Sequence, residues 1–275
     1  MRRAKKAIRA AAFLVLRSRE LRKNRRFRNK HDGGRCFILC NGPSVLKQDL
    51  LPLRNENVMS VSSGYLNKSF EYIKPAYHFL PPVTYGTMTE TDVIEFFREM
   101  DGKLGDAELF LSSSEYDLVK KHSLFTRRSV NYLCVARPFW PNGSGIISIC
   151  GPVPSIASAP IMCLIAALYM GFKKIYLLGT DHDSLVTREY RYSFEPTILR
   201  GKDWAVDGEG KVRASIYEEL KAYLLLWTQY RHIKRIAQAN SVSIYNATAG
   251  GMLDEFPRVH LEEILQSPCP RDVQK

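Results

Sequence analysis

The chain has 275 residues, 45% of them apolar and 25% charged. These are the proportions of a soluble protein with a buried core, and they exclude a wholly disordered chain, a collagen and a coiled coil. The net charge of +12 would suggest a nucleic-acid binder, but thirteen of the 40 bases and only one of the 28 acids, Glu20, lie in residues 1–31, so the remainder is neutral.

Residues 1–31 are expected to form a basic tail. Its apolar run, Ala10 to Leu16, is shorter than the roughly 20 residues that span a bilayer, and no signal-peptide cleavage pattern follows it. As a helix, Ile8, Ala11, Ala12, Phe13, Leu14 and Val15 would give apolar surface, with Arg2, Lys5, Lys6, Arg9 and Arg17 around it. Such a helix suits an anionic membrane; a solvated arm and a nucleic-acid arm are the alternatives. Residues 32–275 hold no second basic patch with interleaved aromatics, which argues against nucleic acid. Six scattered cysteines, Cys36, Cys40, Cys134, Cys150, Cys163 and Cys269, form no Cys-x-x-Cys pair. They read as buried thiols in a reducing compartment. The expectation is a cytoplasmic protein, peripheral on the inner face of the cell membrane.

From Arg35 onward, short apolar strands alternate with helical stretches. Strands are expected at Cys36–Cys40, Asn57–Val61, Ala76–Leu80, Glu108–Leu111, Asn131–Val135, Lys173–Gly179 and Val242–Tyr245. Helices are expected at Val45–Leu53, Thr91–Met100 (capped by Thr89 or Thr91), Glu115–His122, Ile156–Met170 and Ser215–Asn240. A Gly/Pro-rich loop would fill Pro138–Pro154. This alternation predicts a doubly wound α/β domain over 32–275, a mostly parallel sheet covered on both faces, with a lid-like insertion at 184–214.

In such sheets ligands bind beyond the carboxyl ends of the strands. Those ends carry Asn41-Gly42-Pro43-Ser44, Ser62-Ser63-Gly64, Thr180-Asp181-His182-Asp183 and Asn246-Ala247-Thr248. The first can cradle a phosphate: Gly42 admits a close backbone, Pro43 fixes φ, and Ser44 can cap exposed amides. Ordinary turn chemistry would also place Gly, Pro and Ser there. In the third, His182 could serve as a base oriented by Asp183 or Asp181, or the two carboxylates could hold Mg²⁺ or Mn²⁺. Alternatively Asp181 caps the next turn and His182 is a surface residue. Asn246 and Thr248 could bond a ribose, a base or the loop backbone. His232, among Trp227 and Tyr230, reads as packed or solvated.

Taken in order, these segments resemble the bacterial sialyltransferases of glycosyltransferase family 42 and the related 6-hydroxymethylpterin diphosphokinase-like proteins. The likeness runs through Asn41-Gly42-Pro43-Ser44, Ser62-Ser63-Gly64-Tyr65, Ser158, Gly171–Asp181 and the closing Asn246–Leu253 stretch. It implies a Rossmann-like domain that grips a cytidine nucleotide through Asn41, Gly42, Ser44, Ser62, Ser158 and Tyr192, with Pro43, Ser63, Thr180, Asn246 and Thr248 beside them. The family's second-strand asparagine is Ser62 here, and the tyrosine two residues after the strand's aspartate is Asp183. The family's lid histidine has no counterpart between His182 and His232, which leaves His182 as the base. The resemblance thus implies a glycosyltransferase moving a sugar, such as a sialic-acid-like one, from a nucleotide-activated donor to a surface-polysaccharide or lipid-linked glycan acceptor, with no essential metal. The alternatives are an ATP-dependent pyrophosphokinase with Mg²⁺ at Asp181 and Asp183, and a non-catalytic nucleotide-binding protein.

Overall fold

In a computed structural model, residues 12–83, 88–137, 147–195, 207, 209 and 211–266 are described. Eight strands form one sheet: β1 (Arg35–Leu39), β2 (Asn57–Val61), β3 (Tyr77–Leu80), β4 (Glu108–Ser112), β5 (Val130–Arg137), β6 (Pro152–Pro154), β7 (Lys174–Leu178) and β8 (Ser243–Asn246). Their order is β6-β5-β4-β3-β2-β1-β7-β8, and every pairing is parallel. This is the doubly wound α/β class expected. β1 and β2 are buried at every position, because a parallel sheet covered on both sides selects continuous apolar runs over alternation.

Successive side chains point to opposite faces and feed different cores. Cys36, Ile38 and Cys40 face the Ala159–Tyr169 and Ile216–Ala239 helices. Phe37 and Leu39 face the other side, where short 3₁₀ turns and the Leu261–Gln266 helix lie. The Glu90–Lys103 helix covers β3–β5 on that side, buries Val93, Phe96, Phe97 and Met100, and opens with a Thr89–Asp92 capping box.

Three expectations are corrected. Val45–Leu53 is not one helix but two 3₁₀ turns, Pro43–Lys47 and Leu51–Asn55; Pro52 has no N–H to carry a helix through. The loop expected over 138–154 contains β6, an edge strand that tolerates Pro152 and Pro154 because an edge has one unpaired side; residues 138–146 lie outside the described residues. Of the expected tail, residues 1–11 lie outside the described residues, and residues 12–31 do not stand apart from the domain. Leu21 and Phe27 are fully buried, Phe13 packs edge-on against Tyr116 at 5.3 Å, and the buried Asn24 amide donates to the carbonyls of Tyr132 (2.9 Å) and Ile149 (2.8 Å).

The chain winds from β1 out to β6 in one direction, then returns to place β7 and β8 on the other side of β1. β1 and β7 therefore flank the switch point, where a doubly wound sheet opens a crevice at its carboxyl edge.

Candidate functional site at the sheet crest

The loops after β1 and β7 interlock at this edge. The Gly42 N–H donates to the carbonyl of Gly179 (2.9 Å). The Ser44 N–H donates to Asp181 Oδ1 (3.1 Å) and its Oγ–H to Oδ2 (2.7 Å). A Cβ on Gly42 would sit 1.8 Å from Asp181 Oδ2 and 2.6 Å from the Gly179 carbonyl, so only glycine fits there. Gly179 itself has φ +64°, the left-handed conformation glycine adopts at least cost.

The loop after β8 joins the same knot. The Met252 N–H donates to the Asp181 carbonyl (2.7 Å), and a Cβ on Gly251 (φ +74°) would lie 2.4 Å from that oxygen. Thr180 and Thr248 hydroxyls meet at 2.8 Å. Asn246, fully buried, donates to the Leu253 carbonyl and accepts from the Thr248 N–H. Of the roles open to Asn246 and Thr248, this geometry shows the bonding of the loop backbone. The Gln48 amide donates to the Ala247 carbonyl (2.9 Å), tying the first loop to the last.

His182 protrudes from the β7 loop at φ +44°, rare for a residue with a side chain. It is half-buried against Trp227 and Tyr230, and its Nε2 lies 2.8 Å from the Tyr230 hydroxyl. Burial lowers its pKa to about 4, against a smaller upward pull from Asp183. Neither neighbouring aspartate bonds the ring: Asp181 serves Ser44, and Asp183 pairs with Arg191 at 2.6 Å. Burial raises the Asp181 pKa, and its bonds from Ser44 oppose that rise.

Tyr230 is wholly buried, its hydroxyl has one hydrogen, and His182 Nε2 is its partner among the described residues. Buried donors are seldom left unpaired, so the hydroxyl donates to Nε2 and the ring proton resides on Nδ1.

The Ala159–Tyr169 helix starts at this edge because it follows β6 in a crossover to β7. Ser158 is its N-cap and its side chain makes no capping bond. Pro160 has no N–H and the Ile161 N–H donates to the Ser158 carbonyl (3.0 Å), so the Ala159 N–H and the Ser158 hydroxyl are the donors this helix start offers an anion. The turn before it is held by Gln229, which accepts from the Ala157 N–H (2.9 Å) and donates to Ser155 Oγ (3.3 Å). Gln229 and Tyr230, consecutive on one helix, thus fix the Ser158 turn and the His182 ring.

The loop after β2 completes the rim. Ser62 is left-handed (φ +51°), and Ser62 and Ser63 are half-exposed. The Asn41 amide donates to the Val61 carbonyl (3.3 Å), while the Asn41 carbonyl accepts from Ser193 (2.9 Å). That bond folds 188–195 over the first loop and places Tyr192, partly exposed, in a stack with Phe194. Residues 196–206, 208 and 210, 13 of the 31 residues of the expected lid, lie outside the described residues.

The structure therefore brings Asn41, Gly42, Pro43, Ser44, Thr180, Asp181, His182, Asp183, Asn246 and Thr248 into three interlocked loops, with Ser62, Ser63, Ser158 and Tyr192 on the same edge. Sequence reasoning missed Tyr230 as the ring's partner and Gly179 and Gly251 as packing points. Asp181 and Asp183 do not fit a shared magnesium site, since the Asp181 oxygens both accept from Ser44 and Asp183 is ion-paired.

No family model matches the sequence, and no curated protein matches it. Among solved structures, the Maf glycosyltransferase of Magnetospirillum magneticum AMB-1 is similar over 91% of this chain, with 18% identity and TM-score 0.44; this chain spans 39% of that one. The sialyltransferase CstII with CMP and a trisaccharide acceptor is similar over 85% of this chain and 88% of its own, with 16% identity and TM-score 0.46. CstII from Campylobacter jejuni with CMP is similar over 83% and 85%, with 13% identity and TM-score 0.42. Each is a distant likeness in the course of the chain.

Proposed function

We propose that the protein is a glycosyltransferase that moves a sugar from a nucleotide-activated donor, CMP-linked and sialic-acid-like, to a surface-polysaccharide or lipid-linked glycan acceptor. The observation that carries this reading is the convergence of the β1, β2, β7 and β8 loops and the start of the Ala159–Tyr169 helix on one rim at the switch point. Such a rim offers the Ala159 N–H and the hydroxyls of Ser62, Ser63 and Ser158 to a phosphate.

In the proposed reaction the Ala159 N–H and the Ser158, Ser62 and Ser63 hydroxyls hold the donor's phosphate, while the Asn41–Ser44 loop, its donors taken by Gly179 and Asp181, shapes the wall beside it. His182, neutral and carrying its proton on Nδ1, donates to that phosphate as the sugar departs and negative charge grows. This reverses the role of base that the sequence suggests. The acceptor hydroxyl attacks the anomeric carbon, the bond from that carbon to the phosphate oxygen breaks with its electron pair going to that oxygen, the hydroxyl proton passes to water, and the nucleotide leaves. The engagement of Asp181 and Asp183 counts against a magnesium-dependent pyrophosphokinase.

The test is a thermal-shift series with CMP, UDP, GDP and ATP, each with and without Mg²⁺. A bound ligand raises the melting temperature by mass action. Stabilisation by CMP without metal is expected. No shift with any nucleotide, or a shift with ATP only when Mg²⁺ is present, would overturn the reading.

A further inference from the structure

Of the segment expected as a membrane-facing basic helix or a solvated arm, residues 15–30 pack against the sheet with their charge turned outward. A helical turn (Ser18–Arg22) runs into a 3₁₀ turn (Lys23–Phe27). With three residues per turn, Leu21, Asn24 and Phe27 fall on one edge, and all three are buried. The other two edges carry Arg22, Arg25 and Arg28, and Lys23 and Arg26, all exposed. Lys23 is paired with Glu20, and Arg26 with Glu108. Arg19, Arg22, Arg25 and Arg28 have no ion-pair partner among the described residues. Val15 and Leu16, 78% and 71% exposed, stand at the head of this ridge. A cleft of about 770 Å³ beside it is lined by Glu20 together with Lys23, Arg26, Lys120 and Arg128, and of these bases Lys23, Arg26 and Arg128 are paired with Glu20, Glu108 and Asp101.

We propose that residues 15–30 form a preformed docking ridge for an anionic lipid surface, independent of the reaction at the crest. The unpaired guanidiniums complement acidic headgroups, and the adjoining aliphatic pair can enter the acyl boundary. The aromatics of this stretch, Phe13 and Phe27, are buried, so the ridge has no stacking platform for nucleotide bases. Because Asn24 and its neighbours hold it rigidly, docking here sets one orientation of the whole domain against the membrane.

The test is co-sedimentation of the full chain with vesicles of phosphatidylcholine alone or mixed with phosphatidylglycerol. Binding to the mixed vesicles only, weakening with salt, is expected. Replacing Arg19, Arg22, Arg25 and Arg28 by Gln should reduce affinity at least about tenfold, and replacing them by Lys should preserve it. The Gln variant should keep the wild-type melting temperature, since these side chains point to solvent. Equal binding by the Gln variant would move the interaction to residues 1–11 and overturn the proposal. So would loss of binding in the Lys variant, or displacement of the vesicles by RNA or duplex DNA at the same ionic strength.

Discussion

His182 Nε2 lies 2.8 Å from the hydroxyl of Tyr230, a residue 48 positions away and wholly buried. That bond assigns the ring proton to Nδ1 and holds the ring at the crest, so Tyr230 acts as a positioning residue. Tyr230→Phe should lower kcat by about tenfold while leaving KM for the donor near its wild-type value, because a misplaced proton donor weakens the chemical step more than binding. The pH profile should shift as well, since the ring then chooses its tautomer freely. Unchanged kcat and pH profile would remove His182 from the reaction as proposed.

Gly42 and Gly251 are where three loops come closest. Gly42→Ala would drive a Cβ into the Asp181 carboxylate, and Gly251→Ala would meet the Asp181 backbone at positive φ. Each should cost at least about 2 kcal/mol. Gly102, in the Glu90–Lys103 helix with nothing within 4 Å of its Cβ position, should gain about 0.5–1 kcal/mol on change to alanine. Urea denaturation of the three variants checks the contrast; a neutral Gly42→Ala would mean that the loops do not interlock.

The fold was legible because parallel strands announce themselves as apolar runs; Asn57–Val61 was read to the residue. β6 was not, because three residues with two prolines carry no strand pattern. The crest was legible as a set of loop ends, but its bonds were not. Ser44 and Asp181 are 137 residues apart, and no local pattern marks a serine as the partner of that aspartate. The basic segment misled for a different reason. Dense charge hides the spacing of three that seats Leu21, Asn24 and Phe27, and only burial reveals it.

Asp181 distinguishes a loop latch from a metal ligand. Asp181→Asn keeps one acceptor for the Ser44 N–H and a group that can donate to Ser44 Oγ, so stability and turnover should remain close to wild type. Asp181→Ala strands both Ser44 donors and should cost about 2–3 kcal/mol. Transfer activity should also survive EDTA. Loss of activity in Asp181→Asn, restored by excess Mg²⁺, would contradict the latch.

The buried His78 and the half-buried His182 make stability depend on pH. Burial lowers the His78 pKa to about 3 and the His182 pKa to about 4, from an ordinary 6.5. His78 has no exposure and bonds Ser60 Oγ at 2.8 Å. Below pH 6.5 the unfolded chain takes up protons that the folded chain refuses, so stability is fully present above pH 6.5 and is lost as pH falls toward 4. The slope is about 1.4 kcal/mol per pH unit for each histidine. Asp181 acts in the opposite sense, since burial raises its carboxyl pKa, and offsets part of the loss at the acid end. Urea midpoints between pH 7 and pH 5 should fall steadily for the wild type and less steeply for His182→Gln, which deletes one titrating group. Midpoints that stay level over that range in the wild type would mean that both rings are open to protons in the native state.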